Sequence, residues 1–551
     1  MIVLRLDNVT FSHPDGLVLN ELSWAVKAGD KIGLVGPNGA GKSTTLKLLQ
    51  GTIGPDDGFV FRAKKLTLGF LAQEIKLDPM RSVLAEAMTA SPQISKLEHA
   101  LQTVEDSLGD PAIYNDENRL TEALDQQARL IEAYEEAGGL SYQNTVKATL
   151  RQLGFSDDEF EHPTRVLSGG QKKMLVLAKL AVNKPTVLLL DEPDNHLDLA
   201  GKRKLEQFIR NYPGVVIIVS HDRYLLDEVV DGIVEIEGGK LEFYAGNYSV
   251  YVTEKELRRL RQEQMYAAQQ KEIAHLEAAI ARFELWASLV VDVRHIRQAR
   301  NKRRQIDQMD KVDKPTVQKN MGFQLNGWRG SDKVLEIIDL VKAFDDNLVL
   351  AGLNLTLWHG QRVGLIGPNG AGKSVLFRCI TQQEQPTAGI IKIGPSVEMG
   401  IYTQEHQNLD YSKNLVETVR DAKPMFQDQA VAFLGGFLFS YQQATTQAVG
   451  SRSGGERSRL QLALLMLQEP NFLLLDEPTN NLDIRSAEVL EQALDNFNGA
   501  VLVISHDRYF LDKTVDKIVE LDPNQGELKE YLGGYTDYLE QLEAKEGAEQ
   551  T

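Results

Sequence analysis

The chain of 551 residues has one cysteine and no long hydrophobic run. The single cysteine, Cys379, excludes an internal disulfide and is typical of a reducing compartment such as the cytoplasm. Since no run of about 18 apolar residues occurs, we expect no membrane span, and the opening residues lack the pattern of a signal peptide. Lys and Arg number 60 against 78 Asp and Glu, a net charge of −18. Such a chain is not a general nucleic-acid binder, and contact with RNA would need a local basic patch.

Five short motifs occur twice in the same order. The segment GPNGAGKS at 36–43 returns at 367–374, an offset of 331 that also relates Gln73 to Gln404. Ordered repetition at constant offsets predicts a duplicated domain. The drop from 331 to 285 predicts an insertion of 46 residues in the first copy, between Gln73 and Ser168. The later pairs, offset by 285, are Ser168-Gly169-Gly170 with Ser453-Gly454-Gly455, Asp191-Glu192 with Asp476-Glu477, and His221 with His506.

Each copy carries continuous apolar runs that predict buried strands. The runs at 31–35, 186–190 and 215–219 return at 362–366, 471–475 and 501–504. Strands that are apolar on both faces are typical of a parallel sheet covered by helices, so each copy is predicted to be an α/β domain. We predict these domains at 1–251 and 320–551, a linker at 252–319 between them, and an inserted arm at about 90–137.

The insertion has the spacing of two short amphipathic helices separated by a breaker at 109–111. The pattern predicts a helical hairpin that projects from the first domain. Acidic residues outnumber basic ones between 94 and 136, so we expect the hairpin to touch a basic protein rather than RNA. The apolar stripes are Ile94, Leu97, Leu101, Val104 and Leu108, followed by Leu120, Leu124, Ala128, Ile131 and Tyr134.

The linker also has the pattern of two helices, and it is basic. It holds 15 Lys and Arg against 10 Asp and Glu, a net charge of +5. The apolar residues expected to face each other are Ile273, Leu276, Ile280 and Phe283 on the first helix and Ile296, Ala299, Ile306 and Met309 on the second. Six basic residues, with no acid among them, are candidates for contact with RNA: Arg294, Arg297, Arg300, Lys302, Arg303 and Arg304.

The first repeated motif is a P-loop, G-x-x-x-x-G-K-S between a strand and a helix. Its glycines let backbone N–H groups surround phosphate oxygens, and the helix N-terminus adds its dipole. Lys42 and Lys373 are predicted to reach the β- and γ-phosphates of ATP. The residues predicted to bind ATP are Phe11, Gly36, Asn38, Gly39, Gly41, Lys42, Ser43, Thr44, Gln73, Ser168, Gly169, Gly170 and Gln171 in the first copy, and Phe344, Gly367, Asn369, Gly370, Gly372, Lys373, Ser374, Val375, Gln404, Ser453, Gly454, Gly455 and Glu456 in the second.

Acidic and polar residues after the later strands complete each predicted site. Glu192 and Glu477 are suited to polarise the attacking water. The histidines His221 and His506 are placed to contact the γ-phosphate. Phe11 and Phe344, upstream of the two loops, are candidates to stack on adenine, with core packing as the alternative. The ligands predicted for Mg²⁺ are Ser43, Gln73 and Asp191 in the first copy and Ser374, Gln404 and Asp476 in the second.

The segment LSGGQ at 167–171 resembles the signature of ATP-binding-cassette (ABC) proteins. Three more segments resemble the ABC-F family of soluble tandem cassettes: DEPDNHLD at 191–198, GNYSVY at 246–251 and RQARNKR at 297–303. The resemblance implies two ABC ATPase domains in one monomeric chain, which close head to tail around two ATP molecules and their Mg²⁺ ions. It also implies that the closed form binds the exit-site region of the ribosome and modulates translation, with its linker near rRNA and P-site tRNA.

Two residues depart from the family's pattern. Arg452 stands where leucine is usual, and Asp194 stands where threonine is usual, as at its counterpart Thr479. We therefore expect two unequal ATP sites, the site that contains Lys42 being the slower.

Three other functions remain as alternatives. In proteins of this family that protect ribosomes against antibiotics the interhelical tip is long, whereas 286–292 is short. Members that maintain branched nucleic acids tend to carry a basic C-terminal tail, whereas 543–551 is acidic. A motor for a membrane transporter would leave the basic linker unexplained. A ribosome-associated ATPase that modulates translation is the leading hypothesis.

Overall fold

A computed structural model describes residues 1–14, 16–73, 75–109, 117–289, 293–309, 322–325, 327–345, 347–403, 409–480, 482–522 and 528–549. The chain divides into two compact units: Met1–Phe243 together with Asn320–Thr551, and Tyr244–Lys319. The predicted Mg²⁺ ligand Gln404 lies outside the described residues. None of the described helices combines the length and the apolar character needed to cross a membrane.

The first unit contains both α/β cassettes, as the apolar runs predict. The strands are β1 Ile2–His13, β2 Gly16–Lys27, β3 Lys31–Val35, β4 Asp57–Arg62, β5 Leu68–Leu71, β6 Val187–Asp191, β7 Val215–Val219, β8 Gly232–Glu237, β9 Lys240–Ala245, β10 Lys333–Phe344, β11 Asn347–Trp358, β12 Arg362–Ile366, β13 Ala388–Ile393, β14 Met399–Tyr402, β15 Phe472–Asp476, β16 Ala500–Ile504, β17 Lys517–Leu521 and β18 Leu528–Leu532.

Each cassette has a six-stranded sheet with its P-loop strand inside it. The orders are β5-β6-β7-β3-β8-β9 and β14-β15-β16-β12-β17-β18. Strands β3, β5, β6, β7 and β8 pair in parallel, and every residue of β6 and β7 is buried. Because the strands are parallel, their carboxyl ends meet at one edge, which is where such sheets bind ligands.

Each cassette also has a three-stranded antiparallel sheet. The orders are β2-β1-β4 and β11-β10-β13. The two hairpins have the same register: His13 pairs with Gly16 in the first, and Phe344 pairs with Asn347 in the second. The residues before these turns are therefore structural counterparts.

Helices cover the sheets and form the arm and the linker. They are α1 Lys42–Gln50, α2 Val83–Met88, α3 Pro92–Leu108, α4 Glu117–Glu136, α5 Gly139–Gln152, α6 Gly169–Asn183, α7 Leu199–Asn211, α8 Arg223–Val229, α9 Tyr248–Leu289, α10 Val293–Asp307, α11 Lys373–Ile380, α12 Leu415–Ala422, α13 Gln427–Gly436, α14 Tyr441–Thr446, α15 Gly454–Gln468, α16 Ile484–Asp495, α17 Arg508–Thr514 and α18 Tyr535–Glu549.

The inserted hairpin of the first cassette consists of α3 and α4, which pack on each other. Ile94 and Val104 are buried as predicted, and the hydroxyl of Tyr134 donates to Glu98 Oε1 at 3.0 Å. The predicted stripe on α4 is partly wrong, because Leu124, Ala128 and Ile131 are exposed. Its inner side is formed by Leu120, Ala123, Gln127, Leu130 and Tyr134. A search for apolar spacing does not find Gln127, because its side chain is polar.

The second unit contains the two predicted linker helices, α9 and α10. Leu276, Ile280 and Ala299 are buried, and Arg303 pairs with Glu284 at 2.5 Å between the helices. Ile296, predicted to face the first helix, is instead 53% exposed. The connection at 290–292 lies outside the described residues.

Candidate functional site

A cavity of about 1220 Å³ lies between the two cassettes of the first unit. It is lined by residues of both P-loops, of both signature segments and of the loops after the central strands. Most predicted ATP-site residues line it, including the catalytic candidates Glu192, His221, Glu477 and His506. The predicted and described residues that do not line it are Phe11, Gly36, Gly170, Gln171, Asp191, Phe344 and Gly367.

The P-loop lysines are held inside their own loops. Lys42 Nζ donates to the carbonyls of Gly36 and Pro37 at 2.8 and 3.0 Å. Lys373 makes the matching bonds to its own loop at 2.7 and 2.9 Å. Burial lowers the pKa of Lys42, while Glu192, Asp483 and Asp191 oppose that shift. Gly36 has a φ of 149°, and a Cβ there would lie 2.3 Å from the Ile236 carbonyl oxygen, so the loop requires glycine.

The two glutamates that follow β6 and β15 share an unusual backbone geometry. Glu192 and Glu477 have φ values of 49° and 48°, in the left-handed region. Such strain is typical of functional positions. Glu192 Oε2 accepts from Gln73 Nε2 at 2.9 Å and from Asn195 Nδ2 at 2.7 Å, which fixes its orientation.

Burial and the neighbouring acids raise the pKa of both glutamates. For Glu192 the causes are burial first, then Asp191 and Asp194. For Glu477, burial and then Asp476 raise the pKa to about 8. The ionised form of a carboxyl group with a raised pKa is a stronger base than an ordinary carboxylate.

Each glutamate faces the histidine at the end of the neighbouring strand. His221 Nε2 lies 3.9 Å from Glu192 Oε1, and His506 Nε2 lies 3.5 Å from Glu477 Oε1. Burial lowers the pKa of His221 to about 4 and the pKa of His506 well below its ordinary value. Both imidazoles are therefore neutral at pH 7 and can donate one hydrogen bond each to a phosphate oxygen.

The residues present beside the first P-loop are compatible with Mg²⁺. Asp191 is buried, its carboxylate accepts a hydrogen bond from Ser43, and its Oδ1 has no hydrogen-bond partner among the described residues. An unsatisfied buried carboxylate oxygen beside a hydroxyl is a suitable pair of hard ligands, and Mg²⁺ normally takes its remaining ligands from water and phosphate.

The two signature serines begin helices α6 and α15. Ser168 and Gln171 form a reciprocal capping box, with bonds of 3.0 and 3.1 Å. Ser453 and Glu456 form the matching pair, with bonds of 2.9 and 3.3 Å. The side chains of Gln171 and Glu456 therefore hold the start of each helix. The helix N-termini that line the cavity are suited to bind an anion.

Each P-loop contacts an aspartate of the other cassette. The amide of Asn38 donates to Asp483 Oδ2 at 3.3 Å, and the amide of Asn369 donates to Asp198 Oδ2 at 3.2 Å. Asn369 Nδ2 also donates to the carbonyl of His196 at 3.1 Å. Asp198 and Asp483 are counterparts at the offset of 285. The cassettes therefore lie head to tail, and each prospective site includes residues of both.

In the hairpin of the first cassette, the aromatic residue that lines the cavity is His13 rather than Phe11. Phe11 packs against the cassette core, whereas His13 lines the cavity. The offset of 331 and the hairpin register both relate His13, not Phe11, to Phe344. Applying the P-loop offset strictly would have found His13. Phe344 itself is 39% exposed, with Lys342 Nζ 4.6 Å from its ring centroid.

The first departure, Arg452, is accommodated by α15, the helix that begins two residues after it. It is 8% exposed, and its guanidinium pairs with Glu456 Oε1 at 3.3 Å. The first cassette has Leu167 and Gln171 at these positions. The two differences therefore compensate each other: the arginine brings a charge, and the glutamate neutralises it.

We expect Arg452→Leu to cost about 1–3 kcal/mol of unfolding free energy, because Glu456 loses a partner at a mostly buried site. Adding Glu456→Gln recreates the pair of the first cassette and should recover most of that loss. Urea unfolding of the single and double variants measures the coupling. Purely additive effects would show that the two positions are independent.

The second departure, Asp194, lies at the interface of the cassettes. It is buried, and its Oδ1 accepts from Ser220 Oγ at 2.7 Å. Nearby, Lys202 donates to Asp222 Oδ2 at 2.7 Å. The six basic linker residues lie on α10: five of them are exposed and Lys302 is half-buried.

Known protein families match both cassette segments and the linker segment of this chain. The ABC transporter family matches residues 19–195 and 350–480, and a second model described as ABC transporter matches residues 234–325. The chain is 36% identical to the energy-dependent translational throttle protein EttA of Haemophilus influenzae, over 96% of this chain and 93% of that protein. It is 33% identical to ABC transporter F family member 5 of Arabidopsis thaliana, over 98% and 77%.

A solved structure supports the fold alone. The archaeal ribosome recycling factor aABCE1, in complex with the ribosomal stalk protein aP1, has a TM-score of 0.53 at 18% identity, over 93% of this chain and 87% of that one. The relationship to the F family members and to EttA, by contrast, extends over nearly the whole sequence at more than 30% identity, so the chain belongs to the ABC-F family.

Proposed function

We propose that this chain binds and hydrolyses ATP at two composite sites, and that its ATP-closed form binds the ribosome and modulates translation. The observation that carries the first part is the reciprocal pair of contacts, Asn38 with Asp483 and Asn369 with Asp198, across the cassette interface. The similarity to EttA, an energy-dependent translational throttle protein, supports the second part.

In the first proposed site, the P-loop amides and Lys42 bind the β- and γ-phosphates, and Ser453, Gly454 and Gly455 supply donors from the opposite cassette. The second site combines Lys373 with Ser168, Gly169 and Gly170. ATP then joins the two cassettes because each molecule is bound by both. We assign His13, in place of Phe11, and Phe344 as the residues that stack on the two adenine bases.

The glutamates carry the hydrolytic step in this proposal. Glu192, held by Gln73 and Asn195, and Glu477, held by the amide of His506 at 3.3 Å, orient water and accept its proton. The neutral histidines donate to the γ-phosphate. Mg²⁺ neutralises phosphate charge when it is bound, and Ser43 and Asp191 would hold it in the first site, Ser374 and Asp476 in the second.

The basic face of α10 is proposed to contact rRNA and P-site tRNA in the exit-site region. Arg294, Arg297, Arg300, Arg303 and Arg304 are exposed on that helix, and arginine contacts to phosphates supply affinity without reading sequence. The acidic hairpin of α3 and α4 is proposed to touch a basic ribosomal protein. A crosslink from α4 that reached rRNA alone would contradict this second contact.

We expect the double variant Glu192→Gln, Glu477→Gln to co-sediment with ribosomes in ATP and not in ADP, because it closes without hydrolysing. Adding Arg300→Ala and Arg304→Ala should weaken retention about 3- to 10-fold at 0.15 M salt and flatten its salt dependence. The control is Arg329→Ala, an exposed arginine outside α10. Recovery with membranes or with branched DNA, rather than ribosomes, would overturn the translational proposal.

A further inference from the structure

The interface between the cassettes is nearly symmetric, but one buried cluster exists in a single copy. Lys202 on α7 corresponds to Ala487 on α16, and Asp194 corresponds to Thr479, both at the offset of 285. Lys202 and Asp194 are 7% and 5% exposed. Buried charges are costly unless they are paired, so a pair present in one copy and absent from the other calls for a local role.

Lys202 reaches across the interface to the second cassette. Its Nζ donates to the carbonyl of His506 at 2.8 Å, in addition to its bond with Asp222. The amide of the same His506 donates to Glu477 Oε2 at 3.3 Å. The peptide groups on the two sides of His506 are thus held by different cassettes: one by its own glutamate and the other by Lys202.

Among the residues that the structure describes, the first site has no equivalent of this bond. Ala487 occupies the position of Lys202 in the second cassette and has no side-chain donor for the carbonyl of His221. Within the described part of the chain, a lysine of the opposite cassette therefore bonds the carbonyl of the second histidine and not that of the first.

The charges around Lys202 keep it protonated. Burial alone would lower its pKa, but Asp222, Asp194 and Asp507 raise it above the ordinary value. Lys202 also contributes to the low pKa of His506, after burial and Lys373. Asp194 lies close enough to Lys202 and Lys173 to offset two buried cations.

We propose that Lys202 of the first cassette is a positioning residue for the second ATP site, holding the His506 segment in place when the cassettes are closed. This inference rests on the proposed ATPase activity. It makes the two sites unequal. Lys202 of the first cassette supports the second site, whereas Ala487, its counterpart in the second cassette, cannot support the first site in this way.

The test compares the two sites separately. In a Glu192→Gln background, which leaves the second site active, Lys202→Met should lower kcat roughly 10- to 100-fold with KM nearly unchanged, the size of effect expected when a reacting group is misplaced. In a Glu477→Gln background it should change kcat by less than about threefold. Lys204→Ala, a half-exposed lysine on the same helix, is the matched control.

A second variant guards against misfolding. The double variant Asp194→Thr, Lys202→Ala introduces the pair that the second cassette carries and removes one buried charge of each sign, so it should show the same selective loss. Equal losses in both backgrounds, or a loss in KM alone, would overturn the inference.

Hydrogen–deuterium exchange gives a readout independent of turnover. With ATP bound, Lys202→Met should lose more protection in a peptide containing 505–508 than in one containing 220–223, where Asp222 keeps its ion pair with Arg508 at 3.6 Å. Unchanged protection at 505–508 would refute the positioning role. If the unsubstituted protein hydrolysed no ATP, the proposed function would fail while the exchange measurement still decided the role of Lys202.

Discussion

ATP turnover should fall by about 10²- to 10⁴-fold in the double variant Glu192→Gln, Glu477→Gln, while ATP affinity is retained. Each glutamate is oriented by its own neighbours: Gln73 and Asn195 in the first site, and the amide of His506 in the second. Glutamine keeps the size of the side chain and an acceptor oxygen, so binding persists, but it cannot accept a proton from water.

The single variants should be unequal. Glu477→Gln should remove most of the turnover, because the second site is the one whose histidine is held from both cassettes; Glu192→Gln should leave the faster site intact. Steady-state phosphate release measures both, with Glu398→Gln, an exposed glutamate away from the cavity, as control. Equal losses in the two single variants would show that hydrolysis at the two sites is coupled. Near-normal turnover in the double variant would show that another group accepts the proton.

The fold was predictable because its signals are local. Strands such as β6 and β7 are apolar at nearly every position, and burial on both faces of a parallel sheet requires that composition. The arm was less predictable in detail: α4 places Gln127 on its inner side and leaves Leu124 and Ile131 exposed. A narrow seam between two solvated helices tolerates such exchanges, so apolar spacing alone could not give its register.

The site residues were predictable where the residue is expected to contact ATP or the attacking water directly. Lys42 and Glu192 belong to segments whose order and spacing are repeated, and the structure brings them together with their counterparts around one cavity. Phe11 was chosen from its approximate distance to the P-loop. The exact offset of 331 from Phe344 leads to His13. A search limited to Phe, Tyr and Trp does not include this residue.

The resemblance implies that the cassettes close head to tail, but the individual residue contacts between them were not predictable from the sequence. Asn38 and Asp483 are 445 residues apart, and nothing in either segment indicates the other. The same holds for Lys202. Its position on an amphipathic helix predicts a surface lysine, and its contact with the second cassette is seen only in the structure. Such residues become visible only through the packing of two domains.

Two reciprocal ion pairs near this interface should have large effects on closure. Arg508 of the second cassette pairs with Glu206 of the first, and Arg223 of the first pairs with Glu491 of the second. Arg508 also stacks 4.0 Å over the ring of Tyr224, as Arg223 stacks 3.9 Å over Tyr509. Both arginine side chains are 2% exposed, so solvent screens them little.

Arg508→Met should cost the closed form about 3–5 kcal/mol, because Glu206 is left buried with its cross-interface partner gone. Since ATP binding and closure are linked, that cost should raise the Kd for ATP about 10²- to 4 × 10³-fold in the Glu192→Gln, Glu477→Gln background. Adding Glu206→Met removes the stranded charge and should restore most of the affinity. Titration with a fluorescent ATP analogue measures all three.

Lys513 supplies the matched control. It also pairs with Glu491, at 3.2 Å, but is 41% exposed, and exposed pairs contribute about 1 kcal/mol or less. Lys513→Met should therefore shift the Kd less than about fivefold. If Arg508→Met shifted the Kd no more than Lys513→Met does, the buried pairs would not hold the cassettes closed. Closure would then have to rest on bound ATP and on the contacts of the P-loops with Asp198 and Asp483.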